Sequence, residues 1–236
     1  MFHKRSTKEE IMDDLNCQGE VVSQTLRELE IINTWLGGNQ VTLNALTKCL
    51  KQADLASDNK PLRIADLGCG GGDMLKLIAE QFRKKGTPVE LIGIDANPFI
   101  LDYARKNTKD FKEICFQQFD VLSPNFKKEK YDIVNCTLFC HHFDDLSLKK
   151  LLNQLKDQTS HAIIINDIHR HWLAYHSIKW LTAIFSKSEM VRYDAKISVL
   201  RSFRKEELER TIKEAGFINF SIEWKWAFRY EVIILV

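Results

Sequence analysis

The stretch Arg63 to Leu75, RIADLGCGGGDML, limits what this chain can fold into more than any other. An apolar run, Ile64, Ala65 and Leu67, ends beside an acid and breaks into glycines at 68, 70, 71 and 72. Met74, Leu75, Ile78, Ala79 and Phe82 then follow at helical spacing. That pattern is a buried strand turning tightly into a helix, whose first N–H groups stay open to a ligand.

The flanking sequence continues the theme. Strands are expected at 64–67, 89–94, 114–119, 131–137 and 162–166, with helices at 72–85, 98–108 and 146–158 between them. Gly86 closes the first helix and Pro98 opens the second. Short apolar strands separated by helices imply a mostly parallel sheet covered on both faces, which takes its ligand beyond the carboxyl ends of the strands. After the fifth strand an α-helical insert, 167–203, carries the aromatic stretch HWLAYHSIKWLTAIF. A helix at 205–215 and an antiparallel pair, 220–226 and 229–235, close a seven-stranded sheet. Residues 1–57 read as a helical cap packed on the core domain 58–236, with 54–61 as the linker.

Hydrophobic residues make up 44% and charged residues 28% of the 236, which excludes a disordered chain. The net charge of +2 argues against a protein built to grip nucleic acid. Six cysteines without CxxC spacing and a polar N-terminus point to reduced thiols and a cytoplasmic location. No apolar run is long enough to span a bilayer, so stable membrane insertion is not expected. The oligomeric state is not legible.

A glycine turn of this kind can cradle a pyrophosphate, but Asp73 stands where a dinucleotide loop needs its third small residue. A carboxylate there repels phosphate, which disfavours an NAD-dependent oxidoreductase. Asp66 adds a second negative charge, and the pair suits a ligand carrying an ammonium and a sulfonium, S-adenosylmethionine (SAM). The segment DLGCGGG (66–72) resembles the first motif of class I SAM-dependent methyltransferases. GIDANP (93–98), FDV (119–121) and YDIV through HHF (131–143) resemble the later motifs in the same order. The resemblance implies a Rossmann-like fold and a cofactor site of Asp66, Gly68, Gly70, Gly72, Asp73, Asp95, Ala96, Asp120, Val121 and Cys136. Asp95 would take the ribose hydroxyls and Asp120 the adenine amino group. Each residue also has a plainer role: glycines for packing, Asp95 as a helix cap, Asp120 as a turn opener. Their joint order at successive strand ends favours the cofactor.

Methyl transfer is an in-line displacement that needs an aligned nucleophile and a way to remove its proton. A phenol is ionised to about one part in a thousand at pH 7, which costs roughly 4 kcal/mol unaided. A histidine within reach offsets much of this, and His142 or His169 is the expected base. His141, Trp172, Tyr175 and Trp180 are expected to form a pocket for an aromatic or lipid-like small molecule, with the aromatic insert as its roof. The same aromatics could simply anchor the insert to the core, and a third reading, an interfacial membrane helix, is weaker because its cations are few. No metal is expected, because His169, His171 and His176 lack supporting carboxylates. The insert and Asp167 to Arg170 resemble bacterial small-molecule methyltransferases of polyketide-type phenols. The expected activity is therefore O-methylation of a phenol. The alternatives are C-methylation of an activated ring and a non-catalytic SAM-binding module. Arg192, Asp194, Arg201 and the run Arg5 to Asp14 are charged residues that the sequence does not place.

Overall fold

The structure is a computed structural model that describes residues 2–52 and 60–236. The expected linker and the 57/58 boundary fall largely or wholly on 53–59, outside the described residues. The described chain folds as α1 (Glu20–Trp35), α2 (Gly38–Gln52), β1 (Leu62–Leu67), α3 (Asp73–Lys85), β2 (Val89–Asp95), α4 (Pro98–Asn107), β3 (Ile114–Gln118) and β4 (Tyr131–Thr137). It continues through α5 (Asp145–Gln158), β5 (Thr159–Ile168), α6 (Trp172–Phe185), α7 (Glu189–Arg201), α8 (Lys205–Glu214), β6 (Phe220–Lys225) and β7 (Arg229–Leu235). The seven strands lie in the order β3-β2-β1-β4-β5-β7-β6, parallel except for β7, which runs antiparallel to both neighbours. The parallel strands that alternate with helices thus form the sheet the sequence implied. β5 extends beyond the expected 162–166 because β7 pairs with it from Ala162 to Ile168.

The sheet separates two cores. Ala65, Leu67, Ile163 and Ile165 pack under α5 and α8 with Leu151, Leu155, Leu208 and Ile212. Ile64, Leu91, Ile133 and Ile164 face α3, α4 and α2 through Leu75, Ile78, Leu101 and Leu46. Both faces being covered explains why the strands read as continuous apolar runs. The N-terminal helices belong to these layers: α2 lies on β5 and β7, while α1 contacts α2, α4 and α7.

The insert leaves and rejoins the sheet at one point. His169 and Phe203 form a parallel bridge, and the Arg170 N–H donates to the Phe203 carbonyl at 2.8 Å. The Arg170 side chain, 1% exposed, closes this neck. Its guanidinium donates to both Glu207 carboxylate oxygens at 2.6 and 2.9 Å, and to the carbonyls of Ser202 and Phe2. Breaking a buried pair strands a charge, so Glu207→Ala is expected to lower unfolding stability by about 3 kcal/mol or more. Glu209→Ala, which removes an exposed i,i+4 partner of Lys213, is expected to leave stability near wild type. Urea midpoints measure both, and equal small losses would contradict a structural role for Arg170.

Candidate active site

A cavity of about 480 Å³ opens at the carboxyl ends of β1, β2 and β4. Asp66, Gly68, Gly70, Asp73, Asp95, Ala96, Asp120 and Val121 line it, so eight residues expected at the cofactor site meet on one wall. Gly68 sits at φ +66°, and a Cβ there would lie 2.2 Å from the Phe139 ring, so the loop passes where a side chain has no room. Gly72, at φ +77°, is the N-cap residue of α3 and does not line the cavity. Cys136 is also absent from the lining; its side chain is buried in the core under α5.

Three of the four acids on this wall, Asp66, Asp73 and Asp95, lie close enough to repel one another. Asp66 accepts from the Asn135 amide, and burial, with Asp73 and Asp95 nearby, pushes its carboxyl up to about 7. Asp73 accepts from the Asn107 amide at 2.8 Å and lies 3.4 Å from Lys76; burial and Glu30 raise it to about 6. Asp95 is raised by burial and accepts from the N–H groups of Asn97 and Gly70 at 3.0 and 3.4 Å. The helix-capping role falls to Asn97, whose side chain accepts from Phe99 and Ile100 at the start of α4. Asp120 does open a turn, since its Oδ1 accepts from the Leu122 N–H at 2.9 Å.

The opposite wall is built from distant segments. His141 and His142 lie in a single helical turn after β4, their rings stacked at 4.4 Å. His141 is buried between two carboxylates. Its Nδ1 lies 2.7 Å from Asp167, and its Nε2 is 3.5 Å from Glu10. Burial alone would lower its pKa, but Asp167 and Glu10 outweigh that and raise it to about 9. His142, which is half-buried, has Nδ1 2.6 Å from Asp13. Asp13 and Glu10 arrive on an N-terminal strap. Asp194 of α7 accepts from the N–H groups of Ile11 and Met12, Ser198 donates to Glu10, and Arg201 pairs with Asp13 and donates to the His142 carbonyl. Arg5 adds bonds to the carbonyls of His141, Phe143 and Arg201. Met12, Leu26, Leu29, Phe139, Phe143 and Val191 supply apolar lining.

His169, Trp172, Tyr175 and Trp180 are not brought to this cavity. His169 packs against Tyr230 and His171, with burial lowering its pKa. Tyr175 lies edge-on to Phe2, and Trp172 and Trp180 are exposed. The reason is geometric: α6 and α7 pack as a pair, and α7 carries Val191, Asp194, Ala195 and Ser198 over the cavity. Of the residues the sequence left unplaced, Asp194 and the strap therefore form the roof. Among the described residues, Glu10, His141 and His142 present atoms within 4.8 Å of one another, a donor set suited to a divalent cation. The His141 imidazolium already answers the charges of Glu10 and Asp167.

A family model described as a methyltransferase domain matches residues 58–216. The carboxy-S-adenosyl-L-methionine synthase of Helicobacter pylori (strain G27) is 33% identical over 98 residues, 41% of this chain and 39% of that one. The chain thus matches about two fifths of the length of that curated relative. The plantazolicin methyltransferase BpumL in complex with S-adenosylhomocysteine (SAH) superposes with a TM-score of 0.64 at 18% identity, covering 92% of this chain and 99% of that one. The CurJ carbon methyltransferase gives 0.62 at 12% identity, over 84% and 53%. A putative O-methyltransferase from Nostoc punctiforme PCC 73102 gives 0.60 at 15% identity, over 85% and 57%. The chain belongs to the methyltransferase-domain family, and it shares the fold of the SAH-bound methyltransferase on which it superposes.

Proposed function

We propose that the chain methylates a small, largely apolar acceptor at a phenolic oxygen, with His142 as general base and Asp13 as the residue that orients it. The observation that carries this reading is the 2.6 Å contact between His142 Nδ1 and Asp13 at the wall of the cavity. A carboxylate accepting from Nδ1–H leaves Nε2 as the basic nitrogen. Despite burial, His142 and Arg201 hold the Asp13 carboxyl well below its ordinary range, so it stays ionised. Bound SAM would supply an activated sulfonium methyl for transfer to the phenol oxygen, with SAH as the leaving group. His142 Nε2 would take the phenol proton in that transfer. Asp13 stabilises the imidazolium formed. The neighbouring His141 cation is balanced by Asp167 and Glu10, which limits its opposition to that charge.

The cofactor wall supports the same reading. Asp66, at about 7, has no cation against it among the described residues, and Asp73, at about 6, stays raised beside Lys76; the ammonium of SAM would favour the ionised forms of both. The apolar lining from α1 and Phe143 suits an aromatic ring.

His142→Ala is expected to lower kcat by about a hundredfold or more while SAH affinity is retained. Asp13→Asn should lower it less, and His169→Ala should leave it near wild type. Turnover of labelled SAM with a panel of phenols measures this, and wild-type rates in His142→Ala would refute the assignment. A ring-methylated product in place of a methyl ether would move the reaction to carbon.

A ligand ammonium favours the ionised carboxylates, so binding lowers pKa values that are raised in the free protein. SAH binding is therefore expected to release protons between about pH 5 and 8, and affinity should weaken as pH falls through 7 towards 6. Calorimetry in buffers of different ionisation enthalpy reads this directly. An affinity flat across that range would show that Asp66 and Asp73 do not face the ammonium.

A further inference from the structure

All five tryptophans of the chain, Trp35, Trp172, Trp180, Trp224 and Trp226, are between 53% and 80% exposed. Tryptophan is ordinarily a well-buried residue, so complete display of the set requires a reason. Helix α6 is inverted in the same sense. Its buried residues are Ala174 and Thr182, while Trp172, Leu173, Trp180, Ile184 and Phe185 are exposed.

Contacts connect the start of α6, which carries Trp172, to the β6–β7 turn, which carries Trp224 and Trp226. The His169 N–H donates to the Phe228 carbonyl at 2.7 Å, the His171 ring stacks on Phe228, and Phe228 meets Trp224 edge-on. Trp172 follows His171, and Trp226 lies in the turn between Trp224 and Phe228. Arg229 donates to Asn33 at 2.9 Å, which ties this turn to the end of α1 that carries Trp35. The region adjoins the cavity, since Asn33 and Ile168, the register partner of Arg229, both line it. Acids lie at its margins: Glu28 accepts from the Lys187 N–H, and Glu223 pairs with Lys225. Segments 169–188 and 224–230 contain no Asp or Glu, and Lys179 and Lys187 are exposed.

We propose that this face docks reversibly on an anionic lipid bilayer, with α6 and the β6–β7 turn seated at the headgroup level and the cavity mouth beside them. Tryptophan, with an apolar ring and a polar N–H, favours that boundary, and the exposed Lys179 and Lys187 favour anionic headgroups. Neither α6 nor any other described helix is long and apolar enough to cross a membrane, so the docking is peripheral. The inference rests on reading the acceptor as apolar: a bilayer would dissolve it and present it to the cavity.

Co-sedimentation with vesicles of phosphatidylcholine and phosphatidylglycerol in equal parts tests this without any acceptor. The wild-type protein should pellet with the vesicles, with a blue shift of tryptophan emission, and less so in high salt. Trp180→Ser combined with Phe185→Ser should weaken binding by about tenfold or more, with SAH affinity and transfer to a water-soluble phenol unchanged. Lys179→Glu with Lys187→Glu should weaken binding to these vesicles more than to pure phosphatidylcholine. A wild-type protein that stays in the supernatant would overturn the proposal. So would aromatic variants that bind as wild type, or a lipid-free self-association abolished by the aromatic variant, which would give the face to a second copy. Vesicle binding with no transfer to any phenol would instead count against the proposed reaction alone.

Discussion

The carboxylate of Asp66, buried at the end of β1 and held by the Asn135 amide, is the constraint around which the site is built. Parallel pairing sets Leu67 beside Ile94, so the next acid, Asp95, ends β2 close by. The left-handed turn at Gly72 then brings Asp73 to the same place at the start of α3. Among the described residues no salt bridge reaches Asp66 or Asp95, and burial raises both. In the proposed reading, a cationic ligand at this wall would relieve that repulsion and favour the ionised carboxylates.

Across the cavity the logic is reversed, because cations and acids are closely matched. Asp194 pins the strap by two backbone N–H groups, and Arg201 binds Asp13 and the turn holding His142. This wall therefore depends on α7 and the N-terminal residues docking together, and in the proposed reaction the strap would position the base. Arg170 secures the base of the same insert.

The glycine turn, the strand order and the acids at strand ends were legible because their signals are local. Asp66, Asp95 and the turn fall within three dozen residues of sequence, and periodicity locates each element around them. The pairing of Asp13 with His142 joins residues 129 apart, and nothing in the pattern of either segment encodes it. Helix α7 gives a weak pattern because it is buried on several sides, with Asp194 and Arg201 among its buried residues. The aromatics of α6 mark an apolar surface in the sequence, yet composition does not say whether such a surface meets the core, a substrate or a partner. In the structure Tyr175 meets Phe2 while Trp172, Trp180 and Phe185 stay exposed, and His169 lies away from the cavity against Tyr230.

The central claim is that the glycine turn with its acids seats the amino-acid end of SAM and rejects a pyrophosphate. Calorimetric titration of the protein with SAH and, separately, with NAD addresses it most directly. Saturable binding of SAH at one site, with no heat from NAD, is the expected result; binding of NAD with none of SAH would contradict it.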